Sequence, residues 1–148
     1  MQLTLKIQKK NPRAILPKRA TEGSAGMDLY ACIQEEVTLH PGDLAVIPTG
    51  IAIGLPGPGY MALVFARSGL GVKHGISLSN GVGVIDSDYR GEIQVGLCNL
   101  GSQPYTIRPE ERIAQLVVTP VCALPVEEVE ILDETARGEG GFGSTGTH

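Results

Sequence analysis

The sequence contains no tryptophan, and its only aromatic rings besides histidine are two phenylalanines and four tyrosines. A core built from it must rest on valine, isoleucine and leucine. Cysteine is scarce as well. Cys32, Cys98 and Cys122 are odd in number, far apart and without a C-x-x-C spacing, which argues against a disulfide framework or a zinc site. Each lies in an apolar stretch and is expected to be a reduced core thiol. His40, His74 and His148 show no ligand spacing either. No run approaches the roughly 20 apolar residues of a membrane span. The charged, alternating N-terminal residues hold no apolar signal region, so the expected location is the cytoplasm. Positive charge is not in excess: the formal net charge is −4, which argues against a general nucleic-acid binder. A few placed arginines still suffice to reverse the local potential for a small anion.

Turn formers are plentiful. Twenty glycines and ten prolines in 148 residues punctuate short β-branched runs, the pattern of a single all-β domain, sandwich or barrel. That length can bury a core without a metal or disulfide staple. Leu3, Leu5 and Ile7 alternate with polar residues and predict a half-buried strand. Residues 11–26, rich in proline, glycine and charge, predict a loop or irregular arm. Strands are expected at 37–39, at 60–66, and, broken by Pro48 and Gly50, within 44–55. Pro41-Gly42-Asp43 and residues 56–59 read as turns. Residues 68–74 are the one stretch expected to be briefly helical. Runs at 76–78 and 82–85 flank Asn80-Gly81, a hairpin signal. Strong strands are expected at 93–100 and 113–118, with a turn at 108–111 between them. A late strand at 126–132 is placed to pair with another subunit.

From Arg137 the character changes. Five of the ten residues in 137–146 are glycine, so this segment cannot pack by itself and reads as a flexible tail. Its Gly138-x-x-x-x-Gly143-Ser144-Thr145 spacing looks like a phosphate-cradling loop. The lysine is missing and no helix can follow, so a Walker-type site is rejected. What remains is a segment able to fold over a ligand, with Arg137, Phe142 and two hydroxyls, or else a solubilising tail.

Other residues carry chemistry. Arg67-Ser68-Gly69 follows a strand and suits phosphate oxygens; a surface ion pair with a helix cap is the plainer alternative. Asp86 ends an apolar strand, two residues before Asp88 and three before Tyr89, so its carboxylate is placed to deprotonate a water or to make an ordinary Asp turn. Asp28 sits in an apolar stretch and is expected to be paired or metal-associated, or else to be a buried Asp bonded to a loop backbone. Gln115 interrupts an apolar strand, as a site residue or as its solvent-facing member. Together these groups suit hydrolysis of a nucleoside triphosphate without a covalent intermediate.

In their order these segments resemble the trimeric dUTPase family over essentially the whole chain. Five motifs appear in sequence: AGMDLYA at 25–31, ARSGLGVKHG at 66–75, NGVGVIDSDYRGEI at 80–93, ERIAQLVV at 111–118 and RGEGGFGSTG at 137–146. The resemblance implies a distorted jelly-roll β-barrel over residues 1–136 and a lid over 137–148. It implies a homotrimer with active sites shared between subunits, and neither nucleic acid nor membrane as partner. The implied reaction is magnesium-dependent hydrolysis of dUTP to dUMP and pyrophosphate, which limits uracil in DNA and supplies dUMP for thymidylate synthesis. Asp86 would activate water at the α-phosphorus. Tyr89 would pack under the deoxyribose, and Asn80 with Val84, Ile85 and Asp86 would form the uracil pocket, with Gln94 just beyond. Arg67, Ser68, Gly69 and Gln115 would hold the phosphates, and Asp28 would bind magnesium through water. Arg137 would reach the γ-phosphate, Phe142 would stack over uracil, and Gly143, Ser144 and Thr145 would add donors. Ala66 stands where many members have proline, and Met27 where others have Tyr or Phe; neither is a group of the mechanism. Two rivals remain at this stage: a dCTP deaminase of the same superfamily, against which Tyr89 and the short length speak, and a catalytically idle trimeric binding module.

Overall fold

The computed structural model describes residues 2–143 and 146. Its strands are β1 (Lys6–Lys9), β2 (Met27–Tyr30), β3 (Val37–Leu39), β4 (Leu44–Pro48), β5 (Ile51–Gly54), β6 (Tyr60–Phe65), β7 (Ile76–Leu78), β8 (Gly83–Ile85), β9 (Gln94–Asn99), β10 (Tyr105–Ile107) and β11 (Arg112–Pro120), with one short helix, α1 (Ser68–His74), between β6 and β7. The fold is all-β. Its strands divide into a sheet of order β2-β11-β6-β8, a second of order β4-β9-β7, and the pairs β1-β5 and β3-β10. Among the described residues these pairings do not close into a ring.

The paired strands named above are antiparallel, and none of the pairs joins strands that are consecutive in the chain. β11 is the spine. It pairs with β2 on one side and β6 on the other, and Ile113, Ala114 and Leu116 are sealed from solvent. Around them Leu29, Leu39, Ile47, Ile51, Ile76, Val95, Leu97 and Ile107 are equally buried. The core is aliphatic, as the want of aromatic residues requires; each such side chain contributes about 1.5–3 kcal/mol by leaving water. Two buried polar residues are satisfied within it. Thr49 Oγ1 donates to the Ile93 carbonyl at 2.6 Å. Asn99 Nδ2 donates to the carbonyls of Leu39 and Gln103 at 2.9 and 2.8 Å, and its Oδ1 accepts from the Gly101 N–H at 2.8 Å.

Several expectations need correction. Asn80-Gly81 does make a tight turn, with Gly81 at φ 74° and its N–H on the Leu78 carbonyl. Yet β7 and β8 do not pair with each other: β7 joins β9 and β8 joins β6. Each arm completes a separate sheet, so the hairpin is splayed. Residues 126–132 form no strand within the single chain, where Val126 is 99% exposed and Ile131 85%; the pairing expected of them is with another subunit. The first strand begins at Lys6, later than Leu3, where pairing with β5 starts. β2 and β10 had no strand signal of their own. Of the three thiols, all free, only Cys98 is fully buried; Cys32 is partly covered and Cys122, just past β11, is exposed, so it is not a core thiol.

Candidate active site

The splayed turn opens a cleft of about 300 Å³. Leu78 and Asn80 line it from one arm, Gly83 to Asp86 from the other, and Gln94 and Gly96 from β9. β8 turns Ile85 into the core and leaves Val84 62% exposed. Gly83 lets β8 approach β6 closely: a Cβ there would stand 3.2 Å from the Val64 Cβ. Asp86 and Tyr89 stand at the rim. Tyr89 N–H donates to the Asp86 carbonyl at 3.2 Å, and the phenol donates to the Glu92 carbonyl at 2.9 Å. The ion pairs among the described residues leave the Asp86 carboxylate out, so it faces solvent without a cation.

A second cleft, of about 330 Å³, lies at the other end of the β2-β11-β6-β8 sheet and is lined by Asp28, Arg67, Ser68, Arg112 and Gln115 among others. Arg67 is the extended residue before α1, so its side chain projects from the end of β6. Its Nε donates to Asp28 Oδ1 at 3.1 Å, and one Nη donates to the Arg112 carbonyl at 3.3 Å. Arg112 reaches Asp28 Oδ2 at 3.6 Å. The Asp28 side chain is only 16% exposed, and its burial is compensated by these two guanidiniums. With one carboxylate against two arginines the cleft keeps a positive excess, which suits an anion. Gln115 Nε2 donates to the Ala66 carbonyl at 3.0 Å, leaving its oxygen toward the cleft beside Gly26. Ser68 opens the helix and does not cap it, since α1 has no side-chain cap.

The two clefts have no lining residue in common. Register gives their separation. Asp28 lies opposite Gln115, which lies opposite Phe65, while Asp86 lies one residue past Ile85, opposite the Ala62 end of β6. With β2 and β8 at opposite edges of the sheet, the usual strand spacing and rise place the two carboxylates on the order of 20 Å apart.

The site residues inferred from sequence therefore fall into groups. Asn80, Val84, Ile85, Asp86, Tyr89 and Gln94 come together in the first cleft; Asp28, Arg67, Ser68 and Gln115 come together in the second. Gly69 follows Ser68 in α1 without lining it. Arg137, Phe142 and Gly143 are exposed and line neither cleft; Ser144 and Thr145 lie outside the described residues. Sequence reasoning missed Arg112, whose only signal is a charge heading an apolar strand. Near the second cleft, burial and the Glu111 carboxylate push the Tyr105 hydroxyl up to about 12; it hydrogen-bonds Glu111 Oε2 at 3.1 Å. No group of three or more metal-ligating side chains occurs among the described residues.

Comparison with known proteins identifies the family. The family model described as dUTPase matches residues 12–146. The chain is 52% identical over 148 residues to the deoxyuridine 5'-triphosphate nucleotidohydrolase of Neisseria gonorrhoeae (strain NCCP11945), covering all of this chain and 99% of that one. It is 53% identical to the protein of the same name from Burkholderia thailandensis, covering both chains completely. Its structure superposes on the dUTPase of Staphylococcus bacteriophage 80alpha with dUPNHPP at a TM-score of 0.88 and 30% identity, covering 97% of this chain and 99% of that chain. A dUTPase variant from phage phi11 of S. aureus, at TM-score 0.78 and 26% identity over 86% of this chain and 97% of that one, coordinates a structural Mg(II) ion. With a family match over residues 12–146, relatives above half identity and a shared fold all in agreement, the chain belongs to the dUTPase family.

Proposed function

We propose that the chain hydrolyses dUTP to dUMP and pyrophosphate at sites shared between the subunits of a homotrimer. The carrying observation is the separation just described. The base-like carboxylate of Asp86 and the anion-binding arginines stand on the order of 20 Å apart, farther than one triphosphate reaches, so a second copy must bring the two clefts face to face.

In this reading the first cleft takes the nucleoside. The turn at Asn80 and the segment Val84 to Asp86, at the end of β8, present backbone groups to the uracil edge, and Gln94 borders the same space. Tyr89 forms the floor beneath the deoxyribose and leaves no room for a 2′-hydroxyl. Asp86 accepts a proton from a water; the oxygen attacks the α-phosphorus, the bond to the bridging oxygen breaks, and pyrophosphate leaves. The second cleft of a neighbouring subunit grips the phosphates through Arg67, Ser68 and Gln115, with the bare backbone of Gly69 next to Ser68 in α1 as a further donor. Arg67 is pre-aimed by its Asp28 bond, so little reorganisation is needed when the anion arrives.

Among the described residues Asp28 is the one carboxylate lining that cleft. A single hard oxygen ligand with nearby hydroxyl and amide groups does not cage a cation. It fits a magnesium ion that arrives on the triphosphate and keeps its waters. When bound, that ion neutralises charge on the phosphates. Residues 137–148 close over the nucleotide: Arg137 reaches the terminal phosphate, Phe142 stacks on the base, and Gly143, Ser144 and Thr145 add donors. The same reaction keeps uracil out of DNA and yields dUMP for thymidylate synthesis.

Pyrophosphate release from each dNTP and from UTP, with and without magnesium, tests the reading. Release confined to dUTP and requiring magnesium is expected. Ammonia from dCTP, or dUTP binding without release, would overturn it.

A further inference from the structure

Tyr89 is positioned by the turn that follows it. Its phenol donates to the Glu92 carbonyl at 2.9 Å, which folds the ring back across Gly91. A Cβ on Gly91 would lie 2.5 Å from the ring Cζ and 2.9 Å from Cε1, with the phenolic oxygen nearer still. The backbone of Gly91 is outside the left-handed region. An L-residue is therefore excluded there by the tyrosine ring and not by backbone strain. Tyr89 is 46% exposed and borders the open cleft, so its ring has somewhere to go.

We propose that Gly91 is a positioning residue for sugar discrimination, setting the height of the Tyr89 ring in the nucleoside cleft by offering it a bare backbone to lie on. This rests on the reading of Tyr89 as the floor under the deoxyribose. A methyl group at position 91 lifts or swings the ring, because an exposed side chain yields more cheaply than the paired strands on either side. The ring then no longer closes the space that a 2′-hydroxyl would occupy. Glycine is thus required here for the shape of a neighbouring ring, a role that neither φ nor a turn type would reveal.

The experiment compares kcat/KM for dUTP and UTP in the wild type, Gly91→Ala, Tyr89→Ala and the double variant, each at full length with magnesium. Gly91→Ala is expected to lower the dUTP-over-UTP preference by about tenfold or more, the scale on which steric pockets discriminate, with its melting midpoint little changed. Adding Gly91→Ala to Tyr89→Ala is expected to change nothing further, since the ring through which it acts is gone. A preference unaltered in Gly91→Ala but relaxed in Tyr89→Ala overturns the role of Gly91 alone. A preference unaltered in Tyr89→Ala overturns the reading of Tyr89 and the inference with it. If Gly91→Ala fails to fold, recovery of the fold in the double variant supports the contact, and continued misfolding refutes it.

Discussion

In the proposed reaction two aspartates divide the work by environment. Asp28 is largely covered and held between Arg67 and Arg112; Asp86 stands at an open rim outside those pairs. A carboxylate free of cations can take a proton from water, whereas one bound by two guanidiniums serves to orient them. Asp86→Asn keeps the shape and removes the base. Its turnover is expected to fall by about 10²–10⁴-fold with dUTP affinity largely kept, as single-turnover kinetics with a binding titration would show; near-normal turnover would refute the assignment. Tyr105 supplies a different readout. Its hydroxyl keeps its proton up to about 12 in the folded chain, against 10.0 when unperturbed, because of burial and the Glu111 carboxylate. The protonated folded form is thus favoured. That contribution is complete below the unperturbed value and is lost as pH rises through the folded one. Denaturation midpoints are expected to decline across that alkaline window in the wild type and to decline less in Tyr105→Phe. Equal slopes in the two proteins would exclude Tyr105 as the cause.

At the scale of elements, the spine β11 carries the most weight, since β2 and β6 both hang on it. Leu116 is fully buried between them, and Leu116→Ala is expected to cost about 2–5 kcal/mol in urea unfolding; a loss below that range would mean the site collapses around the gap. Strands such as β6, β9 and β11 were legible because long apolar runs admit few alternatives. β2 and β10 were not, because each follows a stretch rich in glycine, proline or charge that reads as loop, and their strand character comes from the partners β11 and β3. The Asn-Gly turn was read correctly as a turn and wrongly as a paired hairpin. Local chemistry sets the φ of Gly81, but which strand each arm joins is decided by distant β6 and β9. The same limit applies to the site. Residues close in sequence, such as Asp86 and Tyr89, could be grouped from their spacing. The joining of Asp28 to Arg67 and Arg112 crosses three segments and follows only from register.

The whole molecule is where a single chain falls short. Beyond β11 the segment 121–143 lies almost wholly exposed, with Leu124 at 80%, Val126 at 99% and Leu132 at 78%. Apolar side chains so displayed cost free energy unless another surface covers them, and in the proposed trimer that surface belongs to a neighbouring copy. Truncation before Arg137 spares these residues and the core; it is expected to leave a folded assembly with little activity, visible as an unchanged melting midpoint beside lost pyrophosphate release. Sharing of sites makes a sharper demand. Asp86→Asn chains retain good phosphate clefts, and Arg67→Ala chains retain good bases. Each variant alone is expected to be nearly inactive. Refolded together from denaturant in equal amounts, they form mixed trimers in which about a quarter of the sites unite an intact Asp86 with an intact Arg67 from different chains, the outcome of random assembly around a cyclic axis. Activity near that fraction of wild type is expected after joint refolding, and none after simple mixing of pre-formed assemblies that do not exchange. If joint refolding restores nothing, base and arginines act within one chain, and the separation of the two clefts must be closed by a movement of that chain instead.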